Sequence, residues 1–360
     1  MKIFFAGGGT AGHVEPALAV ARTWRSKRAT DSLEFIGTDH GLEMQLVPAA
    51  NFKLHRIPKV VLPRKISVSV VTAPFKFVSA VRAARQILKG ADLLIGFGGY
   101  VSAPSYLAAR SLNIPFVVHE ANAKPGFANR LGARMTPYFA VAQPVETGIF
   151  HSALITGIPL RADVAESFSK SEADWARSRA EAKSKLGFSP TAPLILAFFG
   201  SQGSVALNRV IEMALPSLLS HGKQLLHAVG KLNKLPDAQT GYQPTAYIED
   251  MATAYLAADL IISRSGAISC SEINALGRYA LFIPLPIGNG EQRLNATQVV
   301  SQGRGEVVEQ QHFSESWLVS NLDRLLEKSA NSPISGSESD LRATEKILNY
   351  MEFALMEAQK

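Results

Sequence analysis

Short apolar runs closed by glycine or proline alternate along the chain with longer stretches whose apolar residues recur at helical spacing. Runs of this kind read as strands buried on both faces, and their regular alternation with helices predicts parallel α/β sheets. In the first half the pattern predicts strands at residues 2–6, 33–37, 93–96, 116–119, 139–141 and 154–156. The same rhythm returns at 194–199, 224–229, 245–248, 260–263 and 280–283. Between the halves, Gly157-Ile158-Pro159-Leu160-Arg161 reads as a hinge turn, followed by a polar helix over 172–186. A Ser-, Pro- and Gly-rich break at 331–339 precedes an amphipathic helix over 340–359. The expected organisation is a domain over 1–160 and a second, similar one over 161–339.

Composition narrows the class. A chain of 360 residues with 47% hydrophobic and 19% charged residues is an ordinary globular protein, and at roughly 150 residues per domain it has room for two. One cysteine, Cys270, excludes a disulfide framework and cysteine-based zinc sites, and is read as a small core residue. The apolar start breaks into glycine after Ala6, too soon for a signal peptide. No run approaches the ~18 apolar residues of a spanning helix, so a soluble protein is expected. The eight histidines are scattered and no convincing Asp-x-Asp loop occurs, so neither a metal nor a cofactor is expected.

Charge is uneven. From Glu43 to the next acid, Asp92, nine bases intervene, more than the net +7 of the whole chain. Basicity confined to one segment points to a single anionic partner surface; with no nucleic-acid-binding module beside it, nucleic acid is not an expected partner.

Four glycine-bearing loops follow predicted strands and open helices. They are Gly7-Gly8-Gly9-Thr10-Ala11-Gly12-His13, Gly96-Phe97-Gly98-Gly99-Tyr100, Gly200-Ser201-Gln202-Gly203-Ser204 and Ser263-Arg264-Ser265-Gly266-Ala267. Glycine lets the backbone turn sharply near a ligand, and the amides and dipole of the following helix favour an anion. Together the loops describe the carboxyl rim of parallel sheets, where such folds bind ligands. Gly7, Gly9 and Gly12 also satisfy the dinucleotide fingerprint, which keeps an oxidoreductase as an alternative, although the acid that should close the second strand is out of place: Glu34 sits inside the strand and Asp39 just past it.

The segments GGGTAGHVEPALA, GFGGYVSAP, HEANAKPG, GSQGS, SRSGAISCSE and GNGEQRLNA, in this order, resemble the MurG family of peptidoglycan glycosyltransferases, from Lys2 to about residue 310. The resemblance implies a GT-B fold: two Rossmann-like α/β domains with parallel sheets facing across a cleft, the last helix returning to the first domain. It implies an inverting transfer of N-acetylglucosamine from UDP-GlcNAc to the C4 hydroxyl of lipid I, forming lipid II. The expected place is the cytoplasmic face of the cell membrane, as a peripheral protein, with cell-wall synthesis and division proteins as partners. A UDP-GlcNAc 2-epimerase is the alternative within the fold, and a non-enzymatic sugar-nucleotide-binding adaptor the alternative outside enzymes.

Roles follow by resemblance. His13 would take or orient the proton of the attacking hydroxyl, imidazole being the side chain that titrates near neutrality. Glu120 and Asn122, in His119-Glu120-Ala121-Asn122, match an acceptor-side catalytic motif, although Ala121 stands where Gln is common. Thr10 and Gly12 line the same loop. On the donor side Ser201, Gln202 and Arg161 would meet the diphosphate, the planar arginine cation suiting phosphate well. The Ile248 backbone would read uracil, and Glu272, on the helix opened by Ala267, would accept both hydroxyls of the ribose diol. Glu291, Gln292 and Asn295 would contact the sugar; Glu291 stands where Gln or His is frequent. Finally, across 59–89 the bases interleave with Val60, Val61, Leu62, Ile66, Phe75, Phe77, Val78 and other apolar residues, a surface suited to an anionic inner membrane. The plainer reading of the same residues is a buried helix with a solvated cationic face.

Overall fold

The computed structural model describes residues 1–60, 68–286, 290–358 and 360, with backbone alone for 68–73. Val61, Leu62, Ile66 and the bases Arg64 and Lys65 of the basic segment, and residues 287–289 of the sugar-contact loop, lie outside the described residues. The chain divides into two compact units, Met1–Arg161 together with Asp340–Lys360, and Ala162–Ser339.

The first unit carries strands β1 (Lys2–Gly7), β2 (Ser32–Gly37), β3 (Lys53–Arg56), β4 (Leu93–Gly98), β5 (Phe116–Glu120), β6 (Phe139–Val141) and β7 (Leu154–Ile155). Between them run α1 (Ala11–Lys27), α2 (Glu43–Ala49), α3 (Val68–Ile87), α4 (Ser102–Ser111) and α5 (Phe127–Ala133). All the pairings are parallel, in the order β3-β2-β1-β4-β5-β6-β7. The expected strands form, and β3 is added at the edge. Its Lys-Leu-His-Arg sequence hides it from a search for apolar runs, as suits an edge strand that meets solvent.

The second unit opens with α6 (Ala162–Ser171) and α7 (Trp175–Lys185) and continues through β8 (Leu194–Phe198), α8 (Val205–Ser220), β9 (Gln224–Ala228), β10 (Tyr242–Thr245), α9 (Met251–Ala257) and β11 (Leu260–Ser263). It closes with α10 (Ala267–Ala275), β12 (Ala280–Phe282), α11 (Glu291–Asn295), α12 (Thr297–Ser301), β13 (Gly305–Val307) and α13 (Glu315–Ala330). The sheet is parallel throughout, ordered β10-β9-β8-β11-β12-β13. Two expectations are corrected. The strand placed at 245–248 lies earlier, over Tyr242–Thr245, because Pro244 disguises an edge strand that tolerates it. The helix expected over 172–186 begins only at Trp175, because Asp174 caps α7 by accepting the Arg177 amide at 2.9 Å, and a further helix, α6, precedes it.

The chain ends in α14 (Ala343–Ala358), which belongs to the first unit. Ile347, Leu348, Met351, Ala354 and Leu355 enter one core with Ile3, Phe5, Val14, Trp24, Ile95 and Val117. Asp340 secures the entry to this helix by accepting the Ile158 amide at 3.1 Å. Gly157, at φ +89°, leaves room for that carboxylate: a Cβ there would stand 2.6 Å from Asp340 Oδ1.

Each sheet buries a histidine. His119 on β5 directs Nε2 at the Gly157 carbonyl, 3.1 Å away, and His227 on β9 lies between Asn208 Oδ1 at 3.2 Å and the Tyr242 hydroxyl at 3.3 Å. Burial pushes both imidazoles down to about 4.

These features predict two stability effects. Met351→Ala removes a fully buried side chain and should cost about 2–5 kcal/mol in urea unfolding, whereas the exposed Met356→Ala should stay within about 0.5 kcal/mol of the parent. His119 and His227 are held neutral when folded and titrate near 6.5 when unfolded, so their stabilising contribution is complete above that value and is lost as pH falls toward 4. Between pH 7 and 5 each should remove about 2 kcal/mol. That loss should shrink in His119→Gln and His227→Gln, and an unchanged pH dependence in both would show that neither is held neutral.

Candidate functional site

In both sheets the strand order reverses beside the first strand, between β1 and β4 in one unit and between β8 and β11 in the other. Ligands of open α/β sheets bind at the carboxyl ends of strands at such a reversal. The four glycine loops flank these two points: the first two follow β1 and β4, and the last two follow β8 and β11.

At the first unit's rim the β1–β4 register slips, Ala6 facing Gly96 but Gly7 facing Gly98. The resulting bulge re-aims both loops. His13, in the first turn of α1, turns its ring back over them: Nδ1 lies 3.1 Å from the Gly8 carbonyl and 3.2 Å from Thr10 Oγ1. The ring rests on glycine. At Gly98, φ +97°, a Cβ would come within 3.2 Å of His13 Nε2, and at Gly99, φ +84°, within 3.2 Å of Nδ1 and 2.4 Å of the Gly8 oxygen. Burial lowers the affinity of His13 for a second proton, opposed by the carboxylates of Glu120 and Glu43 and by the Gly8 carbonyl. The net shift favours the neutral imidazole, which keeps one ring nitrogen as an acceptor. Thr10 is the residue before α1, and Gly12 is its second residue, beside the Thr10 hydroxyl.

Glu120 ends β5 and is buried. One carboxylate oxygen accepts the Asn122 amide at 2.9 Å and its side-chain Nδ2 at 3.0 Å; the other accepts the Gly126 amide at 2.9 Å and Asn129 Nδ2 at 3.0 Å. Four N–H donors occupy the carboxylate, so Glu120 folds the loop bearing Asn122 and adds negative potential at His13. Asn129, which sequence reading missed, also donates to the His119 carbonyl at 3.0 Å and accepts from the Tyr106 hydroxyl at 2.9 Å.

The dinucleotide alternative loses its parts here. The Gly9 amide, which would face a pyrophosphate, donates at 2.8 Å to Glu43. Glu34, a candidate ribose acid, is bound by His55 and lies 3.5 Å from the Lys53 ammonium.

At the second unit's rim the glycine loop after β8 is locked backbone to backbone. Gly203, at φ +71°, would set a Cβ 1.9 Å from the Val229 oxygen, and Gly230, at φ +96°, one 2.3 Å from the Gln202 carbonyl. The Lys231 amide donates to the Ser201 carbonyl at 3.2 Å, and Asn233 Nδ2 to that of Gln202 at 2.8 Å. Ser201 and Gln202 are thus fixed just ahead of α8, whose N-cap, Ser204, makes no side-chain cap bond. The first-turn amides of α8 can therefore meet an anion.

Gly266 likewise leaves α10 without a side-chain cap where Ala267 begins it. Glu272, in the second turn, is 2% exposed, which rules out a solvated surface acid. Cys270 is buried and its thiol is pushed far up by burial, in line with a core residue. Arg264, another residue without an assigned role in the sequence, donates to the Ile283 and Pro284 carbonyls at 3.0 and 2.9 Å and to Gln310 Oε1 at 2.6 Å. Gln292 accepts the Leu285 amide at 3.0 Å, and Asn295 Nδ2 donates to the Ser265 carbonyl at 3.3 Å. These bonds tie α11, with Glu291, to the loop after β12 and to the residues just ahead of α10. Ile248 is buried between β10 and α9, and Arg161 is the last residue of the first unit before α6. Among the described residues no group of three or more His, Cys, Asp or Glu is arranged to hold a metal.

Residues 3–140 match the glycosyltransferase family 28 N-terminal domain and residues 194–348 its C-terminal domain. A UDP-N-acetylglucosamine–N-acetylmuramyl-(pentapeptide) pyrophosphoryl-undecaprenol N-acetylglucosamine transferase of Streptomyces coelicolor is 44% identical, over 89% of this chain and 88% of its own. Its Corynebacterium glutamicum counterpart is 44% identical over 93% and 92%. Among solved structures, MurG of Acinetobacter baumannii is 27% identical, with TM-score 0.72 over 98% of this chain and 99% of its own. A UDP-GlcNAc 2-epimerase of Neisseria meningitidis, 16% identical with TM-score 0.61 over 98% of this chain and 100% of its own, shares the fold alone. Matched in both of its domains and accompanied along most of its length by such relatives, the chain belongs to glycosyltransferase family 28 and, within it, to the MurG family.

Proposed function

We propose that the protein transfers N-acetylglucosamine from UDP-GlcNAc to the C4 hydroxyl of lipid-linked N-acetylmuramyl-pentapeptide, with inversion, forming lipid II. The observation that carries this reading is the 44% identity, along most of the chain, to transferases named for that reaction. The fold alone is shared with an epimerase and would not choose between them.

In this reading the first unit serves the acceptor. His13 Nε2 takes the proton of the C4 hydroxyl as the oxygen attacks the anomeric carbon; the new C–O bond forms as the bond to UDP breaks. Thr10, Gly12 and Asn122 line the rim around it. The second unit serves the donor. Charge accumulating on the departing diphosphate is met by Ser201, Gln202, the first-turn amides of α8 and Arg161. The Ile248 backbone reads the base, Glu272 the ribose diol, and Ala267, Glu291, Gln292 and Asn295 the sugar. A carboxylate suits the diol because its two oxygens accept both hydroxyls at once.

The acceptor's lipid also gives α3 a role as a peripheral anchor. Phe75, Val78, Arg82 and Arg85 follow one another at helical spacings of three and four and are exposed, Phe75 at 77% and Val78 at 47%, while Ala80 and Ala84 are buried. Apolar residues followed by cations along one exposed face suit an anionic bilayer, at about 1 kcal/mol per cation. Among the described residues no helix is long and apolar enough to cross a membrane.

Incubation with labelled UDP-GlcNAc and a lipid I analogue should give acceptor-dependent label in lipid and stoichiometric UDP. Isomerised UDP-sugar without transfer would instead favour the epimerase. Glu272→Gln should raise KM for UDP-GlcNAc about tenfold, from the weakening of a charged hydrogen bond; an unchanged KM would remove its ribose role. Reversing charge at Arg82 and Arg85 should weaken sedimentation with anionic vesicles but not with neutral ones, and equal sedimentation with both would leave α3 a solvated helix.

A further inference from the structure

Glu43 begins α2 and is 0% exposed. One carboxylate oxygen accepts the Thr38 amide at 3.1 Å and lies 2.9 Å from its hydroxyl; the other accepts the Gly9 amide at 2.8 Å. Three glycines make room for it: a Cβ at Gly8, Gly37 or Gly41 would stand 2.7, 2.6 or 2.2 Å from Glu43 side-chain atoms. Enclosed in this way, the carboxylate cannot touch a substrate.

The Gly9 N–H and the Gly8 carbonyl are two ends of one peptide group. Its N–H points at Glu43, and its oxygen lies 3.1 Å from His13 Nδ1. A carbonyl oxygen only accepts, so the Gly8 contact is a hydrogen bond in the tautomer that carries the hydrogen on Nδ1 and leaves the Nε2 lone pair bare, with the Thr10 hydroxyl 3.2 Å from the same nitrogen. Hydrogen bonds in such a chain polarise one another: negative charge at one end of the peptide strengthens its oxygen as an acceptor at the other.

We propose that Glu43 is a positioning residue that acts on His13 through the single peptide group between Gly8 and Gly9, selecting the imidazole tautomer with a bare Nε2 and stabilising the imidazolium formed when that nitrogen takes a proton. No proton reaches Glu43. The proton gained at Nε2 stays on the ring until it is released to water, while Nδ1 keeps its own. The proposal gives the established geometry of carboxylate-oriented histidines a spacer, one peptide long, and its catalytic part rests on the transferase reading above. The charged groups acting on the ring are Glu43 from α2 and Glu120 from the end of β5, both favouring the protonated form. Tyr100, with the Lys59 ammonium 5.8 Å from its ring centre, lies beside Gly9 on the other side of the loop.

The test uses the full chain labelled with 15N-histidine, His13 being assigned by comparison with His13→Gln. The unmodified protein should show the Nδ1–H tautomer. Glu43→Gln should lower the His13 titration midpoint, move the acidic limb of the kcat profile to lower pH and reduce kcat roughly tenfold, within the range of general-base effects, with KM for UDP-GlcNAc unchanged. An Nε2–H tautomer in the unmodified protein overturns the relay whether or not the variant folds. So does a folded Glu43→Gln protein with the parent's midpoint and profile. If the unmodified protein transfers no sugar, the transferase reading fails, while tautomer and midpoint still decide the relay.

Discussion

A parallel sheet whose strand order reverses beside its first strand leaves two neighbouring strand ends whose loops run away from each other, and the gap between them must be finished by backbone. Both units of this protein are built on that constraint. In the first unit glycine finishes the gap, because a Cβ at Gly99 would meet the Gly8 oxygen; in the second, glycine lets the loop after β8 close on the loop after β9, Gly203 standing against the Val229 oxygen. The chemistry of each rim follows from what the remaining amides are left to do.

The two rims spend their amides differently. In the first unit the Gly9, Asn122 and Gly126 amides are consumed by internal carboxylates, Glu43 and Glu120. That rim sets two carboxylates around a buried imidazole, whose negative potential opposes the loss of proton affinity that burial brings. In the second unit the loop ahead of α8 is held instead by the Lys231 amide and Asn233 donating to the Ser201 and Gln202 carbonyls, and α8 and α10, like α1, begin without a side-chain cap.

Much of this was legible in the sequence because apolar runs and glycine spacing are local signals. The central strands β1, β4, β8 and β11 are continuous apolar runs and were read nearly to the residue. Three of the four edge strands were not: β3 and β13 carry charged residues, and Pro244 obscured β10, while β7 was expected where it lies. Among site residues, the glycine loops and His13 announced themselves by motif. Glu43 did not, since an acid in the first turn of a short helix is an ordinary helix start, and its three enclosing glycines come together only when β1 and β2 pair. Glu120 was noticed for its motif, yet its task depends on four donors, two of them on Asn122 and the others on Gly126 and Asn129, that only the folded loop brings to it.

The docking of α14 onto the first unit has a consequence for biosynthesis. Ile347, Leu348 and Met351 complete the layer that covers Phe5 and Trp24, so the unit that leaves the ribosome first lacks part of its apolar cover until the last residues have been translated. The second unit, Ala162–Ser339, is contiguous and meets no such delay. Synthesis from N- to C-terminus therefore finishes the earlier half last, exposing its unfinished face during the whole interval in which nascent chains are most prone to aggregate.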